Sequence, residues 1–124
     1  MLRIIPLLLI TACMSQQPQL IYADGSANWY EISIHELKYI PVKLEESSTG
    51  MYSGGEPAQV VLSKEQYNHW KNLFETALTQ TDQQIPDRIK TSGLVVVGEK
   101  KVNLKAGSAL MLEVESTLQN LLKR

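Results

Sequence analysis

The sequence predicts an α+β domain: a two-layer sandwich in which an antiparallel sheet of about four strands carries two helices on one face, arranged as ββα twice. Three observations lead there. Residues after Trp29 alternate between apolar and polar, the period of a half-buried strand. Two later stretches, around Trp70 and Val114, repeat their apolar residues at helical spacing. In both halves a Gly-Glu turn precedes a short strand ending in Leu62 or Leu104, followed by a serine placed to cap a helix. One hairpin with one helix leaves an apolar face uncovered, whereas two such units cover each other.

Taken in order, residues 14–27 ("MSQQPQLIYADGSA") mix polar residues with Pro and Gly and read as a tether, with "LIYA" as a possible short edge strand. The globular part is then expected from Asn28 to Arg124. Tyr30, Ile32 and Ile34 point one way and Glu31, Ser33 and His35 the other. "YIPVKL" continues with Ile40, Val42 and Leu44 on one face, although Pro41 lacks the amide for a central ladder and favours an edge or a bulge. "EESSTGMYSGGEP" is a loop, and "AQVVL" closes it as a strand. Ser63 and Gln66 stand at capping-box spacing, so a helix starts there, with Tyr67, Trp70, Leu73, Phe74, Ala77 and Leu78 on its apolar face and an end near Gln80. "RIKTSGLVVVG" and "KVNLK" form the second hairpin. The last helix follows Gly107-Ser108 with Leu110, Met111, Val114, Leu118, Leu121 and Leu122 inward.

Composition excludes the extremes. The 124-residue chain is 44% hydrophobic and 20% charged with a formal net charge of −1, so it is neither a disordered polyelectrolyte nor a polycation suited to nucleic acid. Its first residues have another pattern. Arg3 is a short positive region, Ile4 to Ile10 are apolar apart from Pro6, and small residues precede Cys13, the single cysteine. The apolar run is far shorter than the roughly 20 residues of a membrane span.

Ile10-Thr11-Ala12-Cys13 resembles the lipobox of bacterial lipoprotein precursors. The resemblance covers this segment and its apolar lead-in. It implies cleavage by signal peptidase II between Ala12 and Cys13, a diacylglycerol on the Cys13 thiol and acylation of the new amino group. It divides the chain into a signal peptide (1–12), a lipidated tether (13–27) and one domain (28–124). Met14, where inner-membrane retention would call for an aspartate, implies sorting to the outer membrane with the domain facing the periplasm. Removing residues 1–12 takes one basic residue from the 12, leaving 13 acidic ones in excess by two. Lipidation also removes the unpaired thiol that an oxidising compartment would attack. A cleaved secretory signal with an incidental cysteine, or a free buried Cys13, is the competing reading.

The chemistry-bearing residues do not assemble into a catalytic motif. No serine lies in a G-x-S-x-G elbow or an S-x-x-K dyad. His35 with Glu31, and His69 with Glu65, offer two ligands each where a zinc site needs three or four, so neither a metal nor another cofactor is expected. Gly54-Gly55 is not followed by the lysine and helix of a phosphate loop. Glu45 and Glu46 are neighbouring carboxylates in a polar loop. The remaining candidate is that loop, in which Met51 and Tyr52, held among Gly54, Gly55 and several serines, serve as partner-contacting anchors. The expectation is a non-catalytic binding module for a protein or an envelope component, of inhibitor or immunity type among other forms. An envelope enzyme with scattered carboxylates and hydroxyls and a purely structural lipoprotein are the alternatives.

Overall fold

In the computed structural model, residues 18–123 are described; the signal segment, Ala12 and Cys13 lie outside them. The strands are β1 (Leu20–Ala23), β2 (Trp29–Ile32), β3 (Glu36–Ile40), β4 (Ala58–Val61), β5 (Gln84–Ile85), β6 (Gly93–Val97) and β7 (Lys100–Leu104). The helices are α1 (Lys64–Thr79) and α2 (Ala109–Leu122), with 3-10 turns at Leu44–Glu46 and Thr81–Gln83. All strands join one seven-stranded sheet in the order β4-β3-β2-β1-β6-β7-β5, and every neighbouring pair is antiparallel.

This corrects the expected architecture. The sheet has seven strands rather than about four, and the chain does not run ββα twice: four strands precede α1 and three precede α2. The cause lies chiefly in β1. Leu20–Ala23 falls within the expected tether, yet it is the central strand, bonded to β2 on one side and to β6 on the other. It joins the two halves into one sheet. A second correction concerns phase. Leu37 and Tyr39 point into the core, so Ile40, next in the alternation, faces out at 44% exposure, and β3 ends before Pro41 instead of continuing to Leu44.

The register lines up the inward residues across the sheet. Leu20 stands beside Ile32 and Val97, and Tyr22 beside Tyr30 and Val95. Onto this face α1 brings Tyr67, Trp70, Leu73, Phe74 and Ala77, and α2 brings Leu110, Met111, Val114 and Leu118, forming a single apolar cluster. Trp70 and Phe74 meet edge to face with ring centres 5.9 Å apart. Each fully buried side chain of this size contributes about 1.5–3 kcal/mol by leaving water. Both helices begin where the serines require. Ser63 Oγ accepts from the Gln66 amide at 3.1 Å, and Ser108 Oγ accepts from the Met111 amide at 3.3 Å. The link between α1 and β5 satisfies further helix ends: Gln84 Nε2 donates to the Ala77 carbonyl at 2.7 Å, and Gln83 Oε1 accepts from the Leu110 amide at 2.8 Å. Among the described residues no helix is long and apolar enough to cross a membrane.

Candidate functional site

Strand direction decides which loops meet. β1 and β3 are each antiparallel to β2, and β6 is antiparallel to β1, so the C-terminal ends of β1 and β3 and the N-terminal end of β6 share one end of the sheet. Residues 24–28, 41–57 and 86–92 are therefore neighbours there. The turn end of the sheet, opposite, carries residues 33–35 and 98–99.

Asn28 ties the first two segments together. It is 4% exposed. Its amide N–H and Nδ2 donate to the two carboxylate oxygens of Asp24, at 3.0 and 3.1 Å. Nδ2 also donates to the Tyr52 hydroxyl at 3.0 Å, while Oδ1 accepts from the buried Val42 amide at 2.9 Å. Gly54 sits directly against this group: a Cβ there would land on Asn28 Oδ1 and within 2.8 Å of the Pro41 ring. Its amide donates to the Val42 carbonyl and its carbonyl accepts from the Tyr39 hydroxyl at 2.6 Å. The third segment closes in at Gly25, where any side chain would strike the Lys90 carbonyl. Arg88 Nη2 donates to the Asp24 carbonyl at 3.1 Å, and buried Ser92 holds the loop through its Oγ, which donates to the Ile89 carbonyl at 2.8 Å.

Between the three segments lies a cleft of about 740 Å³. Ser26, Ser47, Ser48, Thr49 and Tyr52 line it with hydroxyls. Arg88 and Lys90 supply positive charge and Glu46 negative charge. Arg88 also borders a second hollow of about 390 Å³ with Lys101 and Asn103. The main cleft thus combines hydroxyl groups with two cationic side chains and one carboxylate. His35 lies at the opposite end of the sheet, and His69 stands on α1 in a small hollow beside Trp70, so neither imidazole reaches the cleft hydroxyls. Among the described residues no group of three or more His, Cys, Asp or Glu side chains could hold a metal ion.

The sequence-predicted loop residues separate. Met51 is 84% exposed. Tyr52 is 41% exposed and borders the cleft, but its hydroxyl belongs to the Asn28 network. Gly54 is buried beneath the loop, and Gly55, with φ of +94°, lines a different shallow groove beside Ile40 and Pro57. Glu45 lies in the 3-10 turn, where Glu46 Oε1 accepts from the Lys43 amide at 3.2 Å. Sequence reasoning missed Asn28, Arg88 and Lys90. The "DGSAN" stretch held a signal for the first, since an Asp-Gly turn followed by Asn builds side-chain-to-backbone turns; "DRIK" gives only a charge pattern. No family model, no curated protein and no solved structure matches this chain.

Proposed function

We propose that this chain is an outer-membrane lipoprotein, anchored through acyl chains on Cys13 with its domain in the periplasm, and that it works as a non-catalytic binding module through the cleft and the loop over residues 45–57. Ile10-Thr11-Ala12-Cys13 and its apolar lead-in support the anchor. The observation that carries the binding role is the contrast within the loop. Its base is locked by Asn28, Val42 and Gly54, while Met51 stands 84% exposed at its tip. A large, adaptable apolar side chain on a pre-positioned segment can bury area against a partner without ordering the base anew. Arg88, Lys90 and the cleft hydroxyls favour a protein or envelope component that presents carboxylates or phosphates together with hydrogen-bonding groups.

The test is site-specific photo-crosslinking in cells of the native source. A photoreactive residue at Met51 or Thr49 is expected to give a discrete adduct, and one at Leu112, which is 59% exposed on α2, is expected to give none. Equal adduct patterns at all three positions, or none at Met51 and Thr49, would overturn the assignment.

A further inference from the structure

The way the chain enters the fold sets which end of the domain meets the membrane. Tyr67, on α1, is 1% exposed, and its hydroxyl donates to the Pro18 carbonyl at 2.6 Å. The next residue is held too: the Gly98 amide donates to the Gln19 carbonyl at 3.3 Å. The fold therefore grips the chain from Pro18 onward. Four residues, Met14 to Gln17, separate that grip from Cys13. At a maximum of about 3.6 Å per residue, Cys13 and Pro18 are at most about 18 Å apart.

From Pro18 the chain runs through β1 directly to the cleft. Leu20–Ala23 is extended, so Gly25 lies roughly 20 Å beyond Pro18 at about 3.3 Å per residue. The antiparallel neighbours place their turns at the same two ends. Ser33–His35 and Gly98–Glu99 flank the entry point, whereas Ser26, Thr49 and Lys90 surround the cleft at the far end. A leash of at most about 18 Å that starts at the entry end is too short to run back along the sheet and place the cleft on the lipid.

We infer that the turn end of the sheet, around His35 and Glu99, rests at the lipid headgroups, and that the cleft faces away from the membrane into the aqueous compartment. This rests on Cys13 being the lipidated residue. It defines the partner further: a soluble molecule, or the domain of another envelope component, that approaches from the aqueous side. With the cleft turned away, headgroups of the same leaflet are not its ligand. The grip on Pro18 acquires a role as well, since a looser entry would let the domain tumble.

The experiment uses the full chain, produced in a Gram-negative host and reconstituted as purified lipoprotein in phosphatidylethanolamine and phosphatidylglycerol vesicles with nitroxide-labelled headgroups. Fluorophores are placed on single substitutions at exposed positions, His35→Cys and Glu99→Cys at the turn end, Thr49→Cys and Lys90→Cys at the cleft end; the lipidated Cys13 sulfur does not react with the label. Quenching at least about threefold stronger at the turn end is expected. Inserting about twenty Gly/Ser residues after Gln16 should largely abolish the difference. Mass spectrometry of the N-terminal peptide is read on the same samples. Lipid on Cys13 with equal quenching at both ends, or stronger quenching at the cleft end, overturns the orientation alone. Absence of lipid on Cys13 overturns the anchor and the orientation with it.

Discussion

Replacing Asn28 by alanine should loosen the candidate site and destabilise the whole domain, because one side chain holds three partners. The variant loses the Nδ2 bonds to Asp24 and Tyr52, each with a net value of about 0.5–1.5 kcal/mol. It also leaves the Val42 amide, on a residue 8% exposed, without its acceptor, at about 1–3 kcal/mol. The expected loss is about 2–6 kcal/mol, read from urea unfolding followed by tryptophan fluorescence. Asn28→Asp separates charge from geometry. It keeps an acceptor for Val42 but sets a second carboxylate against Asp24, so its loss should shrink as the pH is lowered and one of the two carboxyls takes up a proton. A change below about 0.5 kcal/mol for Asn28→Ala would refute the view that this residue organises the cleft end.

Phe74→Ala, at a position with no exposed surface in the edge-to-face pair with Trp70, should cost about 3–5 kcal/mol, and Asn72→Ala on the exposed face of α1 should cost little; chemical denaturation of both reads the helical phase. Tyr22 is fully buried and donates to Glu115 at 2.6 Å, and burial, reinforced by that carboxylate, holds its phenol pKa well above 10. Its unfolded form ionises near pH 10, so the stability that Tyr22 contributes is complete below that pH and declines as the pH rises above it; alkaline unfolding curves of wild type and Tyr22→Phe should differ in slope there. At the loop, Met51→Ala should weaken partner binding by about 1–2 kcal/mol with an unchanged melting temperature, whereas Tyr52→Ala should lower both binding and stability, because the Tyr52 hydroxyl is bonded to Asn28; a titration and a melting curve on each variant check this.

The parts of the fold that could be read from sequence are those whose causes are local. Ser63, Gln66 and the Tyr67-to-Ala77 stripe define α1 within one segment, and Ser108 with the leucines after it does the same for α2. The sheet was legible in its hairpins but not in its size. Leu20–Ala23 is four residues between a Pro/Gln-rich run and an Asp-Gly turn, and what makes it the central strand is Val95 and Val97, more than seventy positions away. The same holds at the site. The loop over residues 45–57 was visible from its Gly and Ser content, yet the cleft is made by bringing that loop against residues 24–28 and 88–90, which only the antiparallel order of β3, β2, β1 and β6 achieves. Gly54 illustrates the limit. A glycine in a polar loop suggests mobility, whereas here its missing side chain leaves room for Asn28 Oδ1 and fixes the base of the loop.

The most direct measurement of the central claim, that this domain works from a lipid anchor, is the mass of the N-terminal peptide of the mature protein isolated from its native envelope. A chain beginning at Cys13 with a diacylglyceryl group on sulfur and an acylated amino group is expected. A mature chain that retains residues before Cys13, or that carries Cys13 as an unmodified thiol, would contradict it.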